Sequence, residues 1–428
     1  MPAVTARSAP TSKDQPNPVP NLTGLACREC GETEPVGLSH VCSFCFGPLE
    51  VVYDTEAIAA RISRERIEAG PPSLWRYADM LPTISDDLAH RVDLGAGWQP
   101  LRHAPRLGER LGLPDLWIKD DTRNPSGSFK DRVVAVALTA ARGLGLTTVA
   151  CASTGNLANA VAAAAANTGL TAYVFIPDDL EIGKVVASAV YGAKVIAVKG
   201  NYDDVNRLCA EVADARGWGF VNINLRTFYA EGSKTIGFEI AEQLGWQLPD
   251  HVVAPVASGA MMVKIDKAFR ELVSYGLVED HPVRVSGAQA DGCNPVATAF
   301  AEGSLDIRPQ RPDTIAKSLA IGNPADGYYA LKVAKRTGGV VTSVSDDEIR
   351  AGMCLLAETE GVFAETAGGV TVANLVRMAR DEVASPDERI VAVISGNGFK
   401  TVDALVDHVG PTHHVTPALD DFLGRLDD

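Results

Sequence analysis

TTVACASTGNLANAVAAAAANTGLTAYVFIPDDLEIGKVVASAVYG, residues 147–192, is the stretch that decides the fold. Two β-rich runs, TTVACAS at 147–153 and TAYVFIP at 171–177, alternate in it with helical segments that end at Gly169 and Gly192. Glycine is common just after the last turn of a helix. The same rhythm continues downstream, and repeated strand–helix units of this size predict parallel sheets covered by helices on both faces. The predicted fold class is therefore α/β.

Length and charge limit the classes of function. The chain has 428 residues, which predicts two or three domains, and its 39 basic and 54 acidic side chains give a net charge of −15. Such a surface disfavours nucleic acid and anionic lipid as partners, and no apolar run is long enough to span a bilayer. The polar, Pro-rich residues 1–24 predict a disordered tail rather than a secretory signal. We expect a cytoplasmic protein without nucleic-acid or membrane partners.

Two cysteine pairs stand out in the N-terminal segment, residues 25–98: Cys27 with Cys30, and Cys42 with Cys45. Two Cys-x-x-Cys turns can place four thiolates around one zinc ion, and four thiolates leave no open coordination position. The pattern therefore predicts a structural zinc in a zinc-ribbon-like segment. The alternative is a metal-free relic of such a ribbon, because the spacing between the pairs is short.

Two strand-to-helix loops carry reactive or anion-binding groups. In NPSGSFKDR, Lys130 opens a helix, where the helix N-terminus and Arg132 favour the neutral, nucleophilic amine that forms a Schiff base with an aldehyde cofactor. In the second loop, Ser153 and Thr154 precede an Ala-rich helix whose N-terminus suits a carboxylate. The ordinary alternatives are a surface lysine and simple helix capping.

Two further loops follow later strands. Ser258 and Gly259 lie in VVAPVASGAMM, where successive backbone N–H groups can bind a phosphate. Ser395 begins the turn SGNG, whose glycines allow close backbone approach and whose hydroxyl can bond a ring nitrogen. A plain connection and a tight β-turn are the alternatives at these two places.

Together these loops belong to a larger set of motifs that resembles the fold type II pyridoxal-phosphate enzymes, the tryptophan-synthase-β-like group. Within it, the chain is most similar to the threonine synthase family in its longer form with an N-terminal Cys-rich segment. The resemblance implies two parallel-sheet α/β subdomains in a core at 99–428, with the smaller one inserted at about 134–230, and a homodimer. The matching motifs are NPSGSFKDR (124–132), STGNLANA (153–160), EGSKT (231–235), TIAKSLAIGNPADG (314–327), ETAGGVT (365–371) and SGNGFKT (395–401).

The resemblance also implies roles for individual residues. Lys130 would hold pyridoxal 5'-phosphate, Asn156 would contact its 3-hydroxyl, and Ser395 would face its pyridine nitrogen. Ser153 and Thr154 would hold the substrate carboxylate. The cofactor phosphate would be bound by a loop that departs from the Gly-Asn-Ala-Gly-Asn of many threonine synthases and consists of Ala257, Ser258, Gly259, Ala260 and Met261.

The reaction that the resemblance implies converts O-phospho-L-homoserine and water to L-threonine and phosphate, with Lys130 relaying protons. The substrate phosphate needs cations, and Lys184, Arg226 and Lys234 lie in or beside loops that should face the site. Each of them is, as an alternative, an ordinary solvated surface charge.

Two other functions stay open at this point. Cysteate synthase, or another β-replacement or β-elimination enzyme of the group, would share the same lysine and asparagine turns. A non-catalytic zinc-binding regulatory homologue is the alternative from a different class. Lys130, in its full motif, favours an enzyme over such a homologue.

Overall fold

This computed structural model describes residues 21–178, 182–200 and 202–425, apart from the side chains of 182–184 and 202–203. Most of the tail predicted at 1–24 therefore lies outside the described residues. The prediction of disorder is wrong for the last residues of this range, because a strand already begins at Leu22, which pairs with Tyr53. The neighbouring Asn21 is buried and donates its side-chain amide to the carbonyl of Leu81 at 2.9 Å.

The strands form three sheets. They are β1 (Leu22–Cys27), β2 (Thr33–Glu34), β3 (Leu49–Tyr53), β4 (Leu101–His103), β5 (Leu116–Asp120), β6 (Thr148–Ala152), β7 (Thr171–Pro177), β8 (Lys194–Val198), β9 (Gly219–Phe220), β10 (His251–Pro255), β11 (Arg284–Ala290), β12 (Val341–Val344) and β13 (Ile390–Ile394). β2-β1-β3 is a small antiparallel sheet. The six-stranded sheet has the order β12-β11-β10-β13-β5-β4 and the four-stranded sheet the order β8-β7-β6-β9. All their pairs are parallel except β4 with β5.

Helices connect the parallel strands, as predicted. They are α1 (Thr55–Ala59), α2 (Arg64–Glu68), α3 (Pro105–Leu111), α4 (Lys130–Gly143), α5 (Asn156–Thr168), α6 (Ile182–Ala189), α7 (Tyr202–Arg216), α8 (Arg226–Glu231), α9 (Lys234–Gln243), α10 (Ala260–Ser274), α11 (Pro295–Ala301), α12 (Gly327–Thr337), α13 (Asp346–Glu360), α14 (Thr366–Arg380) and α15 (Leu419–Gly424). α5 ends at Gly169, whose φ of 72° is the left-handed conformation that glycine adopts without steric cost. None of the described helices combines the length and apolar composition that crossing a bilayer requires.

The two parallel sheets are buried, which confirms the α/β prediction. Every residue of β10 and β13 is buried, as expected for central parallel strands with helices on both faces. In the four-stranded sheet, β6 packs on the Ala-rich helix α5, whose small side chains also allow close approach to α4. The strands of this sheet, β6 to β9, all lie within the range 134–230 named in the sequence analysis.

Candidate active site

Four strand-to-helix loops meet at the carboxyl ends of the parallel strands, where ligands bind in open α/β sheets. Lys130 opens α4 after β5, and Asn156 opens α5 after β6. The loop 257–261 leads from β10 into α10, and Ser395 directly follows β13. Because β10, β13 and β5 are neighbours in one sheet, three of these loops lie side by side.

Backbone hydrogen bonds fix the Lys130 loop to the segment that follows β13. The N–H of Phe129 donates to the carbonyl of Ser395 at 2.8 Å, and the backbone N–H of Glu365 donates to the carbonyl of Gly396 at 2.9 Å. Gly396 is needed here, because a Cβ at this position would lie 2.5 Å from the Glu365 carboxyl group. Three segments that are distant in sequence are thus joined within a few ångströms of Lys130.

The ammonium group of Lys130 has a neutral partner. Its Nζ donates to the hydroxyl of Tyr229 at 2.7 Å and lies 4.5 Å from the centre of the Phe129 ring. The side chain is half-buried. Among the described residues, Lys130 is therefore held in position by a hydroxyl and not by a carboxylate, so its amine can be released for chemistry without breaking an ion pair with any of them.

Glu365 is a site residue that sequence reasoning missed. Its buried carboxylate accepts a hydrogen bond from Asn156 Nδ2 at 2.8 Å and one from the hydroxyl of Ser395 at 3.2 Å. It thereby joins the two side chains predicted to contact the cofactor ring. Burial raises the pKa of Glu365, although these hydrogen bonds and nearby lysines oppose the change. The residue stood inside the quoted motif ETAGGVT, but a motif does not show which way a side chain points.

Unpaired polar atoms surround the same place. Among the described residues, the side-chain hydroxyls of Ser126, Ser128 and Thr366 are buried without a hydrogen-bond partner. Buried hydroxyls are normally paired, so these three are suited to a polar ligand. Lys400 lies beside them, with its ammonium 2.8 Å from the carbonyl of Ser126 and 3.0 Å from Asn159 Oδ1.

The loop 257–261 turns sharply into a helix of 15 residues. Gly259 has a φ of 98°, and the hydroxyl of Ser258 accepts a bond from the N–H of Ala260 at 3.4 Å. The side chain of Met261 is buried in the core, so only its backbone can face a ligand. Ser153 and Thr154 are half-buried in the loop that leads from β6 through Gly155 to Asn156.

The three cations predicted for the substrate phosphate have different surroundings. Arg226 is partly exposed and bonds Asp326, with 2.5 Å between Nη2 and Oδ2. The side chain of Lys184 lies outside the described residues. The prediction that Lys234 binds the substrate phosphate is wrong. Its side chain is fully buried, so its ammonium does not reach the site.

Lys234 belongs to a group of three lysines and three glutamates, which we call the buried charge cluster. Its ammonium lies 2.7 Å from Glu231 and 2.9 Å from Glu271. Burial alone would raise the pKa of Glu231, but the surrounding ammonium groups lower it well below its ordinary value. The cluster joins β3, α8, α9 and α10, and its members are Glu50, Glu231, Lys234, Lys264, Lys267 and Glu271.

The four cysteines at the N-terminus converge. Their Sγ atoms all lie within 4.8 Å of one another, with 3.4 Å between Cys27 and Cys45 and 3.7 Å between Cys30 and Cys42. A tetrahedral zinc with Zn–S bonds of about 2.3 Å needs similar separations between its sulfur ligands. We call residues 22–53, which contain these cysteines and the antiparallel sheet, the Cys-rich module.

Comparison with known proteins assigns the chain to a family. The family model described as "Pyridoxal-phosphate dependent enzyme" matches residues 92–396, and the chain belongs to that family. A threonine synthase of Methanocaldococcus jannaschii is 38% identical over 383 residues, which cover 89% of this chain and 93% of that protein. One of Methanosarcina acetivorans is 36% identical over 386 residues, covering 90% and 93%. Within the family, the chain therefore groups with the threonine synthases.

A solved structure supports the fold independently. The processed form of threonine deaminase isoform 2 from Solanum lycopersicum matches with a TM-score of 0.63 and 22% identity, over 80% of this chain and 96% of that one. At this identity the likeness establishes the fold alone, which is that of fold type II enzymes.

Pyridoxal phosphate is the cofactor of this family, and the residues present fit it. Lys130 would carry its aldehyde carbon, while Asn156 and Ser395, with Glu365 between them, would hold its ring. The unpaired hydroxyls of Ser126 and Ser128 are the further support for a polar group here. When bound, the cofactor withdraws electrons from the substrate carbon and so stabilises the negative charge left by proton removal. The chain is thus a pyridoxal-phosphate-dependent lyase with a small-molecule substrate.

Proposed function

We propose that this enzyme is a threonine synthase that converts O-phospho-L-homoserine and water to L-threonine and phosphate. The observation that carries the proposal is the lysine of the site: Lys130, held only by the Tyr229 hydroxyl among the described residues, next to the Asn156–Glu365–Ser395 group. The long matches to threonine synthases supply the reaction.

In this proposal, Lys130 moves the protons. Its neutral amine takes the Cα proton of the substrate and assists the loss of a second proton from Cβ. Phosphate then leaves from Cγ, and a proton is delivered to Cγ, which becomes the methyl group. Water adds its hydroxyl at Cβ, a proton returns to Cα, and the remaining proton of the water goes to the released phosphate. Tyr229 keeps the amine oriented between these steps, because a hydroxyl can both donate to an amine and accept from an ammonium.

Substrate binding divides between two ends of the site. Ser153 and Thr154, at the N-terminus of α5, would hold the carboxylate, because a helix N-terminus attracts negative charge. Arg226 would bind the substrate phosphate, and Lys184 is proposed to assist it. The loop formed by Ala257, Ser258, Gly259, Ala260 and Met261 would bind the cofactor phosphate at the N-terminus of α10.

An absorbance measurement combined with a product assay tests the function. The purified protein should show a cofactor absorbance band that changes when O-phospho-L-homoserine is added, with catalytic release of phosphate and with threonine as the product. A band that ignores this compound but responds to phosphoserine with sulfite would contradict the proposal and favour cysteate synthase. The absence of a band after pyridoxal phosphate has been added would contradict cofactor binding itself.

We also infer a structural zinc bound by Cys27, Cys30, Cys42 and Cys45. The support is the separation of the sulfur atoms and the backbone N–H groups that point at them, such as Phe44 to Cys42 Sγ at 3.4 Å. About one zinc per chain by elemental analysis is expected. Loss of that zinc in C42S, with cofactor still bound, would assign it to this site, and wild-type protein without metal would contradict the inference.

The remaining proposals concern assembly and location. We propose a homodimer in the cytoplasm, and a division into an N-terminal segment and a catalytic core at 99–428 with a subdomain at about 134–230. The support is the resemblance to fold type II enzymes. Light scattering on the purified enzyme gives the molar mass, and a monomeric value would contradict the dimer.

A further inference from the structure

Asp326 contacts Arg226, the residue proposed to bind the substrate phosphate. Its Oδ2 accepts from Arg226 Nη2 at 2.5 Å, and its side chain is largely buried. Lys234 lies in the buried charge cluster. Arg226 is therefore the one predicted phosphate-binding cation that is described and partly exposed, and its direction depends on Asp326.

The backbone of Asp326 fixes the same residue to the cofactor-phosphate loop. Its N–H donates to the carbonyl of Ser258 at 2.8 Å. Its own carbonyl lies so close to Gly259 that a Cβ there would approach within 2.7 Å. The Asp326 carboxylate therefore holds the Arg226 guanidinium beside the loop at the N-terminus of α10.

A second arginine reaches Asp326 from the Cys-rich module. Arg28 Nη1 lies 3.6 Å from Oδ1 of Asp326, and its guanidinium stacks 3.4 Å above the centre of the Tyr329 ring. The hydroxyl of Tyr329 donates to Glu29 of the same module.

Two guanidinium groups thus surround one carboxylate. The Asp326, Arg28 and Arg226 side chains all line one cleft of about 160 Å³. Lys264 and Glu50 line the same cleft and offset each other, so one positive charge is in excess, as an anion-binding site requires.

We propose that Asp326 is a positioning residue that holds Arg226 toward the substrate phosphate, and that Arg28 makes the Cys-rich module part of this phosphate site. The inference rests on the proposed function, because it takes the substrate to be a phosphate ester. The carboxylate does not touch the substrate. It sets the direction of the guanidinium, and Arg28 offsets the negative charge that would otherwise repel a phosphate.

The test is steady-state kinetics of the holoenzyme with O-phospho-L-homoserine, together with inhibition by inorganic phosphate. D326N should raise KM and the inhibition constant for phosphate about tenfold, with kcat changed less than about twofold, because a charge-assisted bond that orients binding is lost. R28Q should move both constants in the same direction by about threefold. In an R226Q background, D326N should change KM by less than about twofold, because most of the effect of Asp326 passes through the Arg226 guanidinium.

The matched control is D79N. Asp79 is also a partly buried carboxylate between two arginines, Arg66 at 2.8 Å and Arg61 at 3.9 Å, but it does not line the cleft that contains Asp326. Its KM should equal that of the wild type. The absorbance of bound cofactor reports whether each variant is folded. If D326N does not fold, the kinetic constants of R28Q test the proposal instead.

The outcomes separate this inference from the proposed function. A wild type that binds cofactor but releases no phosphate overturns the proposed function. An active wild type whose KM is unchanged in D326N and R28Q overturns the positioning role. A lower KM in D326N also overturns it, because Asp326 would then compete with the substrate for Arg226.

Discussion

Lys130 and Lys234 occupy equivalent places in the secondary structure but have opposite surroundings. Each is the first residue of a helix, α4 or α9, and each follows a short polar turn. The ammonium of Lys130 meets one neutral hydroxyl beside a group of unpaired hydroxyls. The ammonium of Lys234 meets two carboxylates, the carbonyl of Met80 and the Tyr53 hydroxyl.

The difference shows what makes a lysine reactive. Two buried ion pairs hold the ammonium of Lys234, so this side chain cannot reach a ligand without breaking them. Lys234 is therefore a structural residue, while Lys130 is available for chemistry. The difference comes from partners far away in sequence, such as Glu271 for Lys234 and Tyr229 for Lys130.

The largest expected effect is that of K130A. Phosphate release from O-phospho-L-homoserine should fall by more than about a thousandfold, because both the cofactor link and the proton carrier are lost. The shift in absorbance on addition of substrate should disappear as well. K332A, on the exposed face of α12, is the control and should keep both signals. Substantial activity in K130A would remove the distinction between the two lysines.

K234M tests whether Lys234 contributes to stability and not to catalysis. The variant removes the lysine that pairs with Glu271. Removing one partner of a buried ion pair lowers the free energy of unfolding by about 3–5 kcal/mol. A lower urea midpoint with nearly unchanged kcat of the folded enzyme is expected. K335M, at an exposed lysine, supplies the baseline. A large drop in kcat without loss of stability would place Lys234 in the chemistry instead.

The carboxylates beside the two lysines should respond differently to pH. Glu231 has a lowered pKa, so its contribution to stability is present above its ordinary 4.5 and is lost as pH falls below that value. Glu365 has a raised pKa, so its contribution is present below 4.5 and is lost as pH rises through the raised value. E365Q stays neutral and should therefore gain melting temperature relative to the wild type as pH rises above 4.5, the ordinary pKa of a glutamate. A difference in melting temperature that does not change with pH would contradict a raised pKa of Glu365.

The smallest effect is expected for Y229F. Removing the hydroxyl leaves Lys130 without its orienting partner, which should lower kcat about three- to tenfold. KM should change little, since Tyr229 contacts the amine and not a substrate anion in the proposed site. F228L, which alters a buried apolar neighbour on the same helix, controls for packing changes in α8. Equal kcat in Y229F and the wild type would mean that the hydroxyl does not orient the amine.

Much of the fold could be predicted from the sequence. The runs TTVACAS and TAYVFIP contain β6 and β7, because β-branched and small apolar residues suit a strand that is buried on both faces. Gly169 and Gly192 mark the end of helical segments by their left-handed backbone. Strand formation and helix ends depend mainly on neighbouring residues, so the local sequence predicts them.

The site could be predicted only as far as backbone position determines it. Lys130, Asn156 and Ser395 follow or open elements at the same edge of the sheets, so their convergence followed from topology. The direction of Lys234 depends on its helical phase and on glutamates from other elements, which the motif EGSKT does not contain. Arg132 is a similar case, because its charge is balanced by buried Asp121 and Glu239 and is not directed at Lys130.

The buried charge cluster has a consequence for how the chain can be divided. Three lysines balance three glutamates in it, and one glutamate, Glu50, comes from the Cys-rich module. A shortened protein that began after Tyr53 would keep all three ammonium groups but only two carboxylates, and would also lose the Tyr53 hydroxyl that donates to Glu231 at 2.6 Å. The catalytic core by itself thus lacks one of the three carboxylates that balance its three buried lysines, and the Cys-rich module supplies that carboxylate.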